Sequence, residues 1–148
     1  FKYDHKILVE EAIVGREIEC GVLGNESLTV SLPGEIVPRH DFYDYNAKYI
    51  DENGAKLILP ADLDEEVVKK AQKLASDSYK ILECEGMARV DMFIDSKRNI
   101  FINEINTIPG FTNHSMYPKL MELTGISQSE LVEKLIELAI KKFEKRRN

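Results

Sequence analysis

The chain has 148 residues and 43% hydrophobic content, which suits one globular domain able to bury roughly two thirds of its unfolded surface. Twenty basic against 26 acidic side chains leave a net charge of -6, and the one basic cluster, Lys141 to Arg147, sits at the C-terminal end, so no nucleic acid is expected as a partner. Two cysteines, Cys20 and Cys84, with no CxxC and no His at ligand spacing, exclude a disulfide framework and a zinc site and point to a reducing cytoplasm. No apolar run approaches the length of about 18 residues that spans a membrane, and the basic-then-apolar order of a signal peptide is missing. There is no initiating Met and strand-like sequence begins almost at once, so the chain is expected to be a piece of something longer.

Lys6 to Val14 and Arg16 to Leu23 are β-branched, apolar-rich runs separated at Gly15, and Leu28 to Leu32 is a third that ends at Pro33-Gly34, together predicting a strand meander. From Glu35 to Pro60 neither a period of 2 nor one of 3.6 persists, and the aromatic stretch HDFYDYNAKYIDENG is expected to be a long loop of the kind that serves as a lid. Asp62 or Asp64 caps a helix to about Leu82, with Val67, Val68, Ala71, Leu74, Ala75 and Leu82 as its apolar stripe, and Gly86 ends that unit. Met87 to Ile94 and Ile100 to Asn106 form a hairpin around Asp95-Ser96-Lys97-Arg98-Asn99. A short helix is predicted over Tyr117 to Leu123. Ser127 to Glu130 is a capping box for the last helix, which buries Leu131, Leu135, Ile136 and Leu138 and ends in a solvated basic tail. The pattern predicts an α+β fold: a mainly antiparallel sheet whose apolar face is covered by the helix from about Asp64 and by the C-terminal helix.

A hairpin symmetric about the 97/98 step opposes Asp91 to Glu104 and Arg89 to Asn106, all on one face. It sets Val90, Met92 and Ile94 beside Ile105, Asn103 and Phe101 on the other. Carboxylates directly opposed in a sheet stand only about 5 Å apart between Cβ atoms, so something positive should lie between them. Two carboxylates and an amide oxygen suit a hard cation such as magnesium. An ordinary polar sheet surface with Arg89 neutralising both acids fits the spacing as well. Beyond the hairpin, Thr107-Ile-Pro-Gly-Phe-Thr-Asn-His-Ser115 carries a Pro-Gly turn flanked by hydroxyls, which can aim backbone N–H groups at an anion or be a plain turn.

The motifs ARVDMF (Ala88 to Phe93), NEINTIPGFT (Asn103 to Thr112) and SMYP (Ser115 to Pro118), with LVEEAIVGRE (Leu8 to Glu17) and FYDYNAKY (Phe42 to Tyr49), resemble D-alanine-D-alanine ligases of the ATP-grasp superfamily. Together they cover essentially the whole chain as the C-terminal lobe of such an enzyme. The resemblance implies that Glu10, Glu11, Ala12 and Ile13 meet the adenine, that Glu17 binds the ribose hydroxyls, and that Lys48 and Tyr49 of the lid meet phosphate and substrate carboxylate and close the pocket. It implies Asp91, Glu104 and Asn106 as ligands of two magnesium ions, for which manganese can substitute. Arg89 and the Gly110 N–H then stabilise a tetrahedral oxyanion, and Ser115 holds the carboxylate of the second substrate. His5, His40 and His114 match no role.

The reaction implied is transfer of the ATP γ-phosphoryl group to one D-alanine, followed by attack of a second D-alanine amine on the acyl phosphate, for peptidoglycan precursor synthesis in the cytoplasm. D-lactate and D-serine are alternative second substrates, with Tyr49 and Met116 of the D-alanine type, and a non-catalytic nucleotide-binding module is the alternative from another class. The family's N-terminal and central parts are not in these 148 residues, so the isolated chain is expected to be inactive. The parent enzyme is expected to be a homodimer that acts on small molecules, without membrane contact.

Overall fold

Strand β1, Gly15–Gly24, is the spine of the computed structural model, which describes residues 4–38, 55–112 and 114–147. It pairs antiparallel with β2 (Thr29–Val30) and β3 (Gly34–Pro38) along one edge and with β5 (Gly86–Asp95) along the other. Strand β4 (Ala55–Ile58) continues the sheet beyond β3, and β6 (Ile100–Asn106) beyond β5, in the order β4-β3-β1-β5-β6, antiparallel throughout. Three helices follow among the described residues: α1 (Glu65–Ile81), α2 (Met116–Glu122) and α3 (Gln128–Arg147). No described helix is long and apolar enough to cross a membrane. The α+β architecture with a mainly antiparallel sheet is the one expected.

Several boundaries differ, each for a physical reason. Residues 6–14 form no strand: both edges of β1 are already taken, and Ile7, Leu8, Val9 and Val14 lie exposed. The run Leu28 to Leu32 contributes only the two-residue β2, because at Ser31 the chain turns away, its hydroxyl accepting the Gly21 N–H at 2.9 Å. The stretch Glu35 to Pro60, read as one irregular loop, contains β3 and β4; both are short, and neither alternates long enough to stand out in the sequence.

Side-chain alternation gives β1 two working faces. Ile18, Cys20 and Val22 join Ala88, Val90, Met92 and Ile94 of β5 against Val67, Ala71, Ala75 and Tyr79 of α1. Each large aliphatic side chain buried there contributes about 1.5–3 kcal/mol. The opposite face carries Leu23 against Tyr117, Met121 and Leu131, and Ile36 against Met116 and Leu120. The sheet is thus covered on both faces, α1 on one and α2 with the start of α3 on the other, rather than on one face by α1 and α3 together. A sheet in which Leu23 alternates with Val22 has apolar surface to hide on each side. Gly21 admits α2 closely, since a Cβ there would stand 2.7 Å from Met121 Cε. Tyr79 and Tyr117 donate hydrogen bonds from the two sides to Gly24 O (2.7 Å) and Val22 O (3.1 Å).

Helix α1 keeps its expected stripe, but Leu82 lies past its end and is exposed. Asp64 occupies the N-cap position without a side-chain cap bond, its carboxylate being engaged by Arg98 of the β5–β6 turn. In α3 the capping box forms: Glu130 accepts from Ser127 N (2.8 Å) and Ser127 Oγ (2.7 Å). Leu131 is fully buried and Leu135 and Leu138 are partly so, whereas Ile136 is exposed, one residue round the helix from the packed stripe. The basic tail is partly engaged, with Lys142 paired to Glu85 and Lys145 to Glu26.

The β5–β6 hairpin departs from the symmetric reading twice, and the departures cancel at the site. Asp95 organises the turn, its Oδ1 accepting from Lys97 N and Asn99 N at 2.8 Å each, with Arg98 at a φ of 68°. Ile94 opposes Ile100, Phe93 opposes Phe101 and Met92 opposes Ile102, a register one residue off from symmetry about 97/98. A bulge between Asp91 and Met92 then leaves Asn103 as the extra residue of β6, so that Asn103 does not lie beside Met92. Beyond it Asp91 faces Glu104 and Arg89 faces Asn106, as the symmetric reading has them.

Candidate functional site

The bulge decides which side chains meet. Without it Glu104 and Asn106 would fall on the α1 face among Ala88 and Val90; with it they join Arg89 and Asp91 on the face of α2. Arg89 presents its fork to Asp91, Nε donating to Oδ1 and Nη2 to Oδ2, both at 2.7 Å. Asn106 Nδ2 lies between the two acids, 3.0 Å from Asp91 Oδ2 and 3.2 Å from Glu104 Oε1. Asp91 is 1% exposed, while Glu104 is exposed, so the cluster runs from the core to the surface.

A further acid belongs to this group. Glu19, directly across β1 from Asp91, is 1% exposed, with Oε2 3.1 Å from Arg89 Nε. Burial works against the Arg89 charge, but the Asp91 hydrogen bonds and the charges of Glu19, Asp91 and Glu104 outweigh it and raise the guanidinium above its ordinary value. Sequence reasoning missed Glu19, because nothing in GREIECGVLG tells which strand stands beside β1. Glu17 lies two residues along on the same face, opposite Phe93.

Three carboxylates facing one guanidinium leave an excess of negative charge that a cation would balance. Among the described residues no three His, Cys, Asp or Glu side chains are grouped to hold a metal by themselves. Magnesium needs fewer, since it commonly uses one or two carboxylates, keeps several waters and shares substrate phosphates. Asn106 already places an electropositive group between Asp91 and Glu104, where a cation would be drawn. A half-turn of its amide exchanges N for O and converts a donor to both acids into a third oxygen ligand. The donor set therefore fits a hard divalent ion.

The loop after β6 folds on Ser115. The Ser115 hydroxyl accepts from Thr112 N at 3.0 Å and shares a 2.9 Å hydrogen bond with Thr112 Oγ1, leaving α2 without a side-chain cap. A Cβ on Gly110 would stand 3.0 Å from Ser115 Oγ, so the two expected substrate-binding residues are close neighbours. Phe111 packs near Tyr117, ring centroids 6.3 Å apart, and ties the loop to α2. Glu10, Glu11, Ala12 and Ile13 precede β1, the first three exposed. Lys48 and Tyr49, with His40, lie outside the described residues. A crevice of about 470 Å³ between the β1–β2 turn and the end of α3, lined by Asn25, Glu85 and Lys142 among others, contains none of these residues, and its Lys142 and Lys145 already have acidic partners.

Residues 1–137 match the family model described as the C-terminus of D-ala D-ala ligase. A D-alanine-D-alanine ligase of Oceanobacillus iheyensis is 62% identical over 142 residues, covering 96% of this chain and 39% of the relative. That of Caldicellulosiruptor bescii is 59% identical over 143 residues, again 96% of the chain and 39% of the relative. The chain thus spans about two fifths of the length of the curated relatives it matches. Among solved structures, the D-alanine-D-alanine ligase from Coxiella burnetii superposes with a TM-score of 0.86 at 45% identity, covering 99% of this chain and 38% of that one. A D-Ala:D-Ser ligase from Enterococcus faecalis does so with a TM-score of 0.76 at 44% identity, covering 86% of this chain and 37% of that one.

Proposed function

The chain belongs to the family of D-alanine-D-alanine ligase C-terminal domains, and from that premise we propose that it supplies the metal-binding and oxyanion-stabilising half of an ATP-dependent ligase that joins two D-alanines for the cell wall. The observation that carries this reading is the hydrogen-bonded cluster of Arg89, Asp91, Glu104 and Asn106 on one sheet face. Asp91, Glu104 and Asn106 would hold magnesium, as one or two ions, with manganese as a substitute; bound there it supplies charge neutralisation for the phosphate oxygens of ATP. Arg89, fixed by its acids and unable to lose its proton, would meet the oxygen of a carboxyl group that turns tetrahedral under attack by an amine. The Gly110 N–H would be the second donor to that oxygen, and the Ser115 hydroxyl beside it would orient the carboxylate of the attacking amino acid. Glu17, together with the backbone of Glu10 to Ile13, would hold the nucleoside, and Lys48 and Tyr49 would close over the phosphates.

The remainder of the site, including the pocket for the first D-alanine, would come from the other three fifths of a complete cytoplasmic ligase, for which the family's homodimeric assembly is part of the proposal. The likeness to a D-Ala:D-Ser ligase at 44% identity makes the second substrate the point to measure. In a complete ligase carrying this chain, D-alanine should be joined faster than D-serine or D-lactate. Glu104→Gln should abolish dipeptide formation and weaken magnesium-dependent ATP binding while the protein stays folded. Unchanged turnover in that variant removes Glu104 from the site, and ATP binding with no ligation by the parent would make the domain a binding module.

A further inference from the structure

We propose that Glu19 is a positioning residue for Arg89, holding the guanidinium from the side away from Glu104 so that Asp91 is left able to take a cation; this rests on the reading of Arg89 and Asp91 given above. The registers align Glu19, Asp91 and Glu104 in one row across β1, β5 and β6, each acid directly opposite the next. Neighbouring carboxylates in such a row repel, and Glu19, at 1% exposure, cannot lean on solvent. A buried acid of this kind persists when a fixed charge compensates it, and the compensating charge here is Arg89, with Nε 3.1 Å from Glu19 Oε2.

The single hydrogen on Nε goes to Asp91 Oδ1 at 2.7 Å, while Glu19 Oε2 stands 3.1 Å from the same nitrogen as an ion-pair partner. Both oxygens of Asp91 are held by the guanidinium, which competes directly with any cation that Asp91 would bind. Without a second acid, a cation could reach Asp91 only by leaving Arg89 with a weakened partner in a buried place. Glu19 removes that conflict. When Asp91 turns toward a cation shared with Glu104, Arg89 retains a carboxylate at Nε and stays where an oxyanion would form. Glu19 thereby adds a unit of negative charge that favours the ion and an anchor that keeps the cationic side chain from following Asp91.

The test uses the complete ligase and Mn2+ as the probe, titrated by electron paramagnetic resonance in the presence of a non-hydrolysable ATP analogue, with kcat and KM measured separately. Glu19→Gln should weaken Mn2+ binding on the order of tenfold, as for one charge withdrawn from a few ångströms away in a partly wet site. It should lower kcat more than the KM for D-alanine, and Glu19→Asp, which keeps the charge, should recover part of the Mn2+ affinity. Mn2+ binding unchanged in Glu19→Gln, with Asp91→Asn having lost it, overturns the role of Glu19 and leaves the metal site standing. Mn2+ binding unchanged in Asp91→Asn overturns the metal site itself and the inference with it. If Glu19→Gln does not fold, Glu19→Asp carries the test: a loss of Mn2+ affinity smaller than that of Asp91→Asn, with kcat lowered more than KM, supports the role, and parental affinity and kcat, or a loss as large as that of Asp91→Asn, overturns it.

Discussion

Replacing Arg89 with Met isolates the electrostatic core of this domain. The methionine fills similar space, so little cavity is left, but Asp91 loses two hydrogen bonds of 2.7 Å and Glu19 its ion pair at 3.1 Å. Both acids are 1% exposed and face each other across β1 and β5. Removing one partner from a buried ion pair typically costs about 3–5 kcal/mol, because the survivor remains buried and charged. Against a total stability of about 5–15 kcal/mol this is a large fraction. For a domain of this size it corresponds to a melting temperature lower by roughly 10 °C or more. Urea unfolding of the 148-residue chain, followed by circular dichroism with the slope m held as a check on two-state behaviour, measures it. Arg89→Lys, which keeps the charge and loses the planar fork, should fall between. A loss below about 1 kcal/mol for Arg89→Met would refute the argument that this guanidinium compensates the two acids.

Other consequences are equally direct. Leu131→Ala, at a fully buried position joining α3 to Leu23, Tyr117 and Met121, should cost about 2–5 kcal/mol in the same unfolding assay, while Ile136→Ala on the exposed side should stay within about 0.5 kcal/mol. Burial, with help from the charges of Glu19 and Asp91, pushes the Cys20 thiol up to about 12, so a thiol reagent at pH 8 should label Cys84 in the native chain and Cys20 only after denaturation. The Ser127 hydroxyl and N–H hold Glu130 below the usual glutamate range, so its capping contribution is complete above that range and is lost as pH falls through the lowered value. The stability difference between the parent chain and Glu130→Ala should therefore shrink on acidification, as read by thermal melts at a series of pH values.

What could be read without coordinates was local. The stripe of α1, the capping box of α3 and the two strands around Asp95 to Asn99 follow from spacing and turn chemistry, which involve residues near one another in the chain. The pairing of Asp91 with Glu104 and of Arg89 with Asn106 also matches the local reading, but that reading assumes a symmetric turn and an even ladder, neither of which the hairpin has. The short β3 and β4 were illegible because a strand of four or five residues owes its existence to its neighbours.

Tertiary structure alone decided three matters. It set α1 and α3 on opposite faces, since an apolar face states that it must be covered but not by which helix. It seated the bulge at Asn103, and a one-residue register shift is what turns Glu104 and Asn106 toward Arg89 rather than into the core. It also laid β1 beside β5, joining residues about seventy positions apart and bringing Glu19 against Arg89. Residue types and their local spacing left a metal site and a plain polar surface equally open, and the family motifs named the chemistry; long-range pairing, which no local pattern encodes, determined which groups share a surface.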